Sequence, residues 1–262
     1  MIVESNDMGR IQVVVCLVLL ATARLKGDSR HQVFSDFATP LPLDPQQTLV
    51  LGIVGGWERW DNPDRITTRI GQMIRDSRLP GVFVETVENH KIDLADELIR
   101  RAFPDPSAAS LVLYGQSLGG PAAIQLSERL KTRGIAVRLL VVIDAVGKEA
   151  YTVPSNVDAA ANLYQRSSFW PLLGAKKIRA SDPSRTRIIC NVQYRYNYRL
   201  WDGKKIEKPT YETSLRWRWM GGHLRMEYDP EVWSHVCNLI MAELRAPDAT
   251  AFTTNLPNLP SN

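Results

Sequence analysis

Ser117 lies in the segment Gly115-Gln116-Ser117-Leu118-Gly119, with Gly120 following. A serine hydroxyl is a poor nucleophile until a neighbouring base takes its proton and the chain lifts its oxygen clear of the backbone. Glycines on both sides let a strand turn abruptly into a helix and present the side chain at the apex. The flanks have that form: the apolar run 110–114 (SLVLY) precedes the turn, and Ala122, Ile124, Leu126 and Leu130 follow it at helical positions. A five-residue glycine pattern alone recurs by chance and describes any tight turn. Set between a strand and a helix, it predicts a nucleophile elbow.

The run LVLYGQSLGGPAAI, residues 111–124, resembles the nucleophile-elbow region of α/β-hydrolases, particularly their lipase, esterase and thioesterase-like members. The resemblance extends in pattern from about residue 48 to residue 244. It implies the chain order nucleophile, acid, histidine, which sets aside His31 and His90 and leaves His223 and His235. His223, in Gly221-Gly222-His223-Leu224, falls in a glycine-rich loop just before the last helix, where the family carries its base. His235 falls inside that helix, where packing is the default role. The acid that orients the histidine is expected at Asp144, which ends an apolar strand, with Asp182 and Asp202 as alternatives one strand later. Asp202 also reads as the turn residue of Asp202-Gly203.

The same resemblance implies an oxyanion hole of two N–H groups, one from Leu118 and one from Gly56 or Trp57 in Gly55-Gly56-Trp57. An ordinary Gly-Gly turn is the plainer reading of that second segment. Together these residues imply acyl transfer from a small-molecule ester or thioester, without a metal or other cofactor. The alternative is a non-catalytic binding or surface-associated protein that retains the fold.

The elements that must position these residues are legible in the apolar pattern. Residues 48–54 (TLVLGIV) form a continuous apolar run, the mark of a strand buried on both faces. Ile66, Ile70, Met73 and Ile74 then recur at helical spacing, and Leu79-Pro80-Gly81 stops that helix before the short run Val82-Phe83-Val84. A second helix carries Ile92, Ala95, Leu98, Ile99 and Ala102 on one face; after the elbow helix comes a strand over 137–143 (VRLLVVI). Strand and helix alternating in this way predict an α/β fold with a mostly parallel central sheet flanked by helices. Beyond Gly147 the pattern predicts a helical stretch over 156–165, a polar loop over 176–184 and a fifth strand over 187–192. Residues 194–201 and 206–219, joined through Asp202-Gly203, read as a hairpin, and residues 229–244 as an amphipathic helix. About 40 residues separate Asp144 from the fifth strand, room for a small lid or none.

The chain has 262 residues, 44% of them hydrophobic and 23% charged, enough for one substantial core over 27–246 with tails at 1–26 and 247–262. Residues 11–23 (IQVVVCLVLLATA) follow Arg10 and end in Ala-Thr-Ala, which reads as a secretory signal or, uncleaved, an N-terminal anchor. Export would place the chain outside the cell or in the periplasm. Cys190 and Cys237 would then stay with the chain, as buried thiols or as a pair. The net charge is +4, but residues 164–225 hold 14 Lys/Arg against 4 Asp/Glu. The basic, aromatic run over 195–219 fits strands with one aromatic and one solvated face, or contact with an anionic surface. No nucleic-acid motif accompanies it, and no phosphate-binding or dinucleotide glycine pattern is present.

Overall fold

A computed structural model describes residues 31–56, 58–147, 151–167, 176–196 and 214–246. Six strands form one parallel sheet: β1 (Thr48–Ile53), β2 (Val82–Val87), β3 (Leu111–Gln116), β4 (Val137–Ile143), β6 (Val157–Gln165) and β8 (Arg187–Tyr194). Their order across the sheet is β2-β1-β3-β4-β6-β8. Two short strands, β5 (Thr152–Val153) and β7 (Arg179–Ala180), pair in parallel outside it. The helices are α1 (Ile66–Asp76), α2 (Ile92–Ala102), α3 (Gly119–Lys131), α4 (Ser214–Glu227) and α5 (Pro230–Arg245).

The strand order dictates where the helices go. The chain steps from β1 to β2 in one direction, then returns past β1 to β3 and continues to β4. Right-handed crossovers that reverse direction must change face. Accordingly Ile66, Ile70 and Ile74 of α1 join one core with Val232, Val236 and Ile240 of α5. Ala95, Leu98 and Ile99 of α2 join the opposite core with Ala123, Leu126 and Leu130 of α3. The reversal lies between β1 and β3, and the crevice beyond the carboxyl ends of such a pair is the usual ligand site of an open parallel sheet. All residues of β1 and β3 are buried, as their unbroken apolar runs require.

The outer edge of β2 is covered by the segment that enters the domain. Gln32 donates to the Thr86 carbonyl at 2.8 Å and accepts from the Glu88 N–H at 3.2 Å, standing in for a neighbouring strand. Further along, Glu85 Oε1 accepts from the Ala38 and Thr39 N–H groups and from the Thr39 hydroxyl, at 2.7–2.8 Å.

Two expectations from the sequence are overturned. Residues 157–165 are a strand, not part of a helix, so the sheet has six strands rather than five. The run Ala159-Ala160-Ala161 favours a helix intrinsically. Here its methyls are buried on both faces between β4 and β8, and tertiary burial decides the outcome. The second hairpin arm also fails where it is described, because residues 214–219 begin α4. Their short Arg/Trp alternation spans too few residues to decide between periods of two and 3.6. Residues 197–213, which include Asp202 and the turn, lie outside the described residues, as do the signal-like segment and the tail.

Candidate active site

Ser117 begins where β3 ends and sits at φ 55°, a left-handed conformation uncommon for serine. Its N–H donates to the Ile143 carbonyl at 2.9 Å, while its own carbonyl accepts from Gly120 and Val146 at 3.2 and 3.3 Å. The glycines are a steric requirement. A Cβ on Gly115 would lie 2.2 Å from the Gly119 carbonyl oxygen, and one on Gly119 would lie 2.1 Å from that of Ile53. A strand that reverses this sharply into a helix, at the switch point of a parallel sheet, has the backbone geometry of a nucleophile elbow.

The fold is that of the α/β-hydrolases.

On this α/β-hydrolase fold Asp144 continues β4 as Ser117 continues β3, and it too has positive φ, at 44°. Its side chain is fully buried. Oδ2 lies 2.6 Å from His223 Nδ1 and accepts from Gln165 Nε2 at 3.0 Å; Oδ1 accepts from the Gln165 backbone N–H at 3.2 Å. His223 Nε2 lies 3.0 Å from Ser117 Oγ. A carboxylate can only accept, so the proton of a neutral imidazole belongs on Nδ1, which leaves Nε2 free to accept from the serine hydroxyl.

His223 comes from α4 and not from a loop. The helix breaks at Gly221, whose φ 44° and ψ −119° are not helical, and the glycine-rich stretch read as a loop is this kink. Gly222 permits close approach: a Cβ there would stand 2.6 Å from Gln165 Oε1 and 2.9 Å from Ser167 Cβ. The last turn of α4 is fixed by Arg65, just before α1. Its guanidinium meets Glu227 at 2.9 Å, Glu58 at 3.1 Å and the Tyr228 hydroxyl at 3.3 Å. Burial is the largest influence on the His223 imidazole and disfavours its charged form. Asp144, aided by Glu227 and Glu58, outweighs that and leaves its pKa above the ordinary value.

The Leu118 N–H opens the first turn of α3, and neither it nor the Gly56 N–H donates to another group among the described residues. Gly55 brings the turn after β1 against the elbow, since a Cβ there would meet Ser117 Cβ at 2.9 Å. Trp57 lies outside the described residues.

Of the alternatives, Asp182 is a half-buried turn residue that accepts from the Ser184 N–H and hydroxyl at 2.9 and 2.6 Å. His235 Nδ1 is 2.8 Å from the Tyr194 hydroxyl, away from Ser117. Tyr196, from the aromatic run, packs into the core, and its hydroxyl donates to Asp229 at 2.8 Å. Cys190 and Cys237, on β8 and α5, are both free thiols. Gln165 and Arg65 went unrecognised in the sequence. Gln165 sat in a segment read as helix, and Arg65 precedes α1 with no local mark of a partner 162 residues away.

No family model matches the chain, and no curated protein matches it in sequence. Among solved structures, it is similar to the RedJ thioesterase of prodiginine biosynthesis from Streptomyces coelicolor, at 11% identity and a TM-score of 0.41, covering 83% of this chain and 98% of that one. The thioesterase domain SrfTE, which cyclises surfactin, gives 12%, 0.43, 84% and 100%. Dienelactone hydrolase from Anabaena variabilis gives 13%, 0.43, 77% and 87%. The fold assignment rests on the strand order and the elbow, not on these distant likenesses.

Proposed function

We propose that the chain is a serine hydrolase that cleaves an ester or thioester through an acyl-enzyme intermediate. The observation that carries this reading is the line Ser117 Oγ, His223 Nε2, His223 Nδ1, Asp144 Oδ2, with contacts of 3.0 and 2.6 Å. Such a chain of contacts activates a nucleophile and has no evident structural use at a strained serine.

In the proposed reaction Ser117 Oγ attacks the carbonyl carbon while His223 Nε2 takes the hydroxyl proton. The Leu118 and Gly56 N–H groups stabilise the oxyanion of the tetrahedral intermediate. As that intermediate collapses, His223 returns the proton to the departing alcohol or thiol. Water then attacks the acyl-serine with His223 again as base, releasing the acid and restoring the hydroxyl. Asp144 holds the imidazole in its tautomer and stabilises its charged form. A non-catalytic role for the fold would leave the histidine free to stand away from the serine, and the 3.0 Å contact counts against it.

The test is labelling of the purified protein with a fluorophosphonate probe. Wild type should label and Ser117→Ala should not; a folded wild type that never labels would reject the reading. A series of chromogenic esters of increasing acyl length, run on both proteins, would then define the substrate class. Export through residues 1–26 is proposed alongside, and N-terminal sequencing of the protein recovered from outside the cytoplasm checks it.

A further inference from the structure

His31, Glu88 and His90 offer ligand atoms that all lie within 4.8 Å of one another, at the end of β2. We propose that they bind a divalent transition metal, Zn2+ in character, which clips the entering segment to the edge of the sheet. The carboxylate is the decisive group. Glu88 is 3% exposed, and its Oε2 accepts no hydrogen bond among the described residues. A buried carboxylate oxygen in that position is costly unless a cation or donor meets it. His90 Nε2 stands 3.2 Å from it, an ion pair when the ring is protonated. That spacing is close to the roughly 3.3 Å between adjacent ligands of a tetrahedral ion with bonds of about 2.0–2.1 Å.

The backbone already holds these ligands in place. Gln32, next to His31, accepts from the Glu88 N–H at 3.2 Å, and the Lys91 N–H donates to the Glu88 carbonyl at 2.8 Å. Lys91 is the main cation whose charge reaches this carboxylate, without a hydrogen bond to Oε2; Arg59, whose charge reaches it less, is forked onto Asp61 at 2.9 and 2.7 Å. Both histidines are exposed, so their rings can swing to shorten the longest separation without disturbing the core. Two imidazoles and one carboxylate suit zinc and its neighbours, and three protein ligands leave a position for water. In sequence His31 stands far from the other two, so no local spacing marks the cluster. The site is separate from Ser117, although Asn89, between two of the ligands, donates to the Gly56 carbonyl.

The test is titration of chelator-stripped protein with Zn2+ and with Co2+. One equivalent should bind, raise the melting temperature and slow amide exchange over residues 32–39. His31→Ala and His90→Ala, at exposed positions, should each weaken binding by at least about tenfold, the lower limit for loss of even an outer-shell partner. Glu88→Gln should abolish it. Three outcomes would overturn the proposal: no saturable binding, which leaves only an ion pair; binding unchanged in both histidine variants; or a cobalt spectrum with thiolate bands, which assigns the ion to cysteine.

Discussion

Gln165 holds both carboxylate oxygens of Asp144, its backbone N–H on Oδ1 at 3.2 Å and its side-chain amide on Oδ2 at 3.0 Å. The amide's own oxygen accepts from the Ser167 N–H at 2.7 Å, so its orientation is set by a second contact. Hydrogen bonds to a charged group contribute about 1.5–3 kcal/mol. Gln165→Leu should therefore lower kcat by about ten- to a hundredfold in an ester assay. Gln165→Glu should do worse, because it faces a second carboxylate to the first.

Ser117 is held at φ 55°, where a side chain costs about 1–2 kcal/mol that glycine does not incur. Ser117→Gly and Ser117→Ala should both lose probe labelling. The glycine variant should be more stable than the alanine variant by about 1 kcal/mol, measured by urea denaturation. Equal stability would mean that the elbow relaxes in solution.

His223 must be neutral to act as a base, and its pKa is raised above 6.5. The acid limb of kcat/KM should accordingly fall at a pH above the ordinary histidine value. Asp144→Asn removes the main attraction holding the proton, so that limb should move to lower pH while activity drops by about 10⁴. Linkage gives the stability sign: a pKa raised on folding contributes stability that is complete below the unfolded value and is lost as pH rises through the folded one. Melting curves from pH 5 to 9, approximate bounds chosen around that window, should show a decline across it that His223→Gln lacks.

Arg65 is 6% exposed and faces Glu227 and Glu58. Arg65→Met would strand buried carboxylate charge and should cost about 3–5 kcal/mol in denaturant titrations. Adding Glu227→Met should recover most of that loss. Because Glu227 lies one helical turn beyond His223, the single variant should also lose kcat beyond its loss of folded protein.

The sequence was most informative where burial is symmetrical and local. β1, β3 and β4 are apolar runs buried on both faces, and the glycines around Ser117 answer steric demands arising within a few residues or from the adjacent strand. The resemblance points to His223, and its place at the end of an apolar strand points to Asp144; the contacts at 2.6 and 3.0 Å join them to Ser117. What was misread depends on distant partners. The alanines of β6 carry no strand signal until β4 and β8 enclose them, and Gly221 breaks a helix that its own neighbours continue. Gln165 could not be recognised before Asp144 was known to stand beside it.

Gln116 and Ile143 are register partners on β3 and β4, and Ser117 and Asp144 are simply the next residue on each strand. The spacing of Ser117 and Asp144 is thus inherited from the hydrogen-bond ladder between the two strands. The imidazole alone comes from outside the sheet, on the kinked helix α4. Substitutions at its kink and its arginine anchor should change the rate while the spacing of the two strands beneath stays constant.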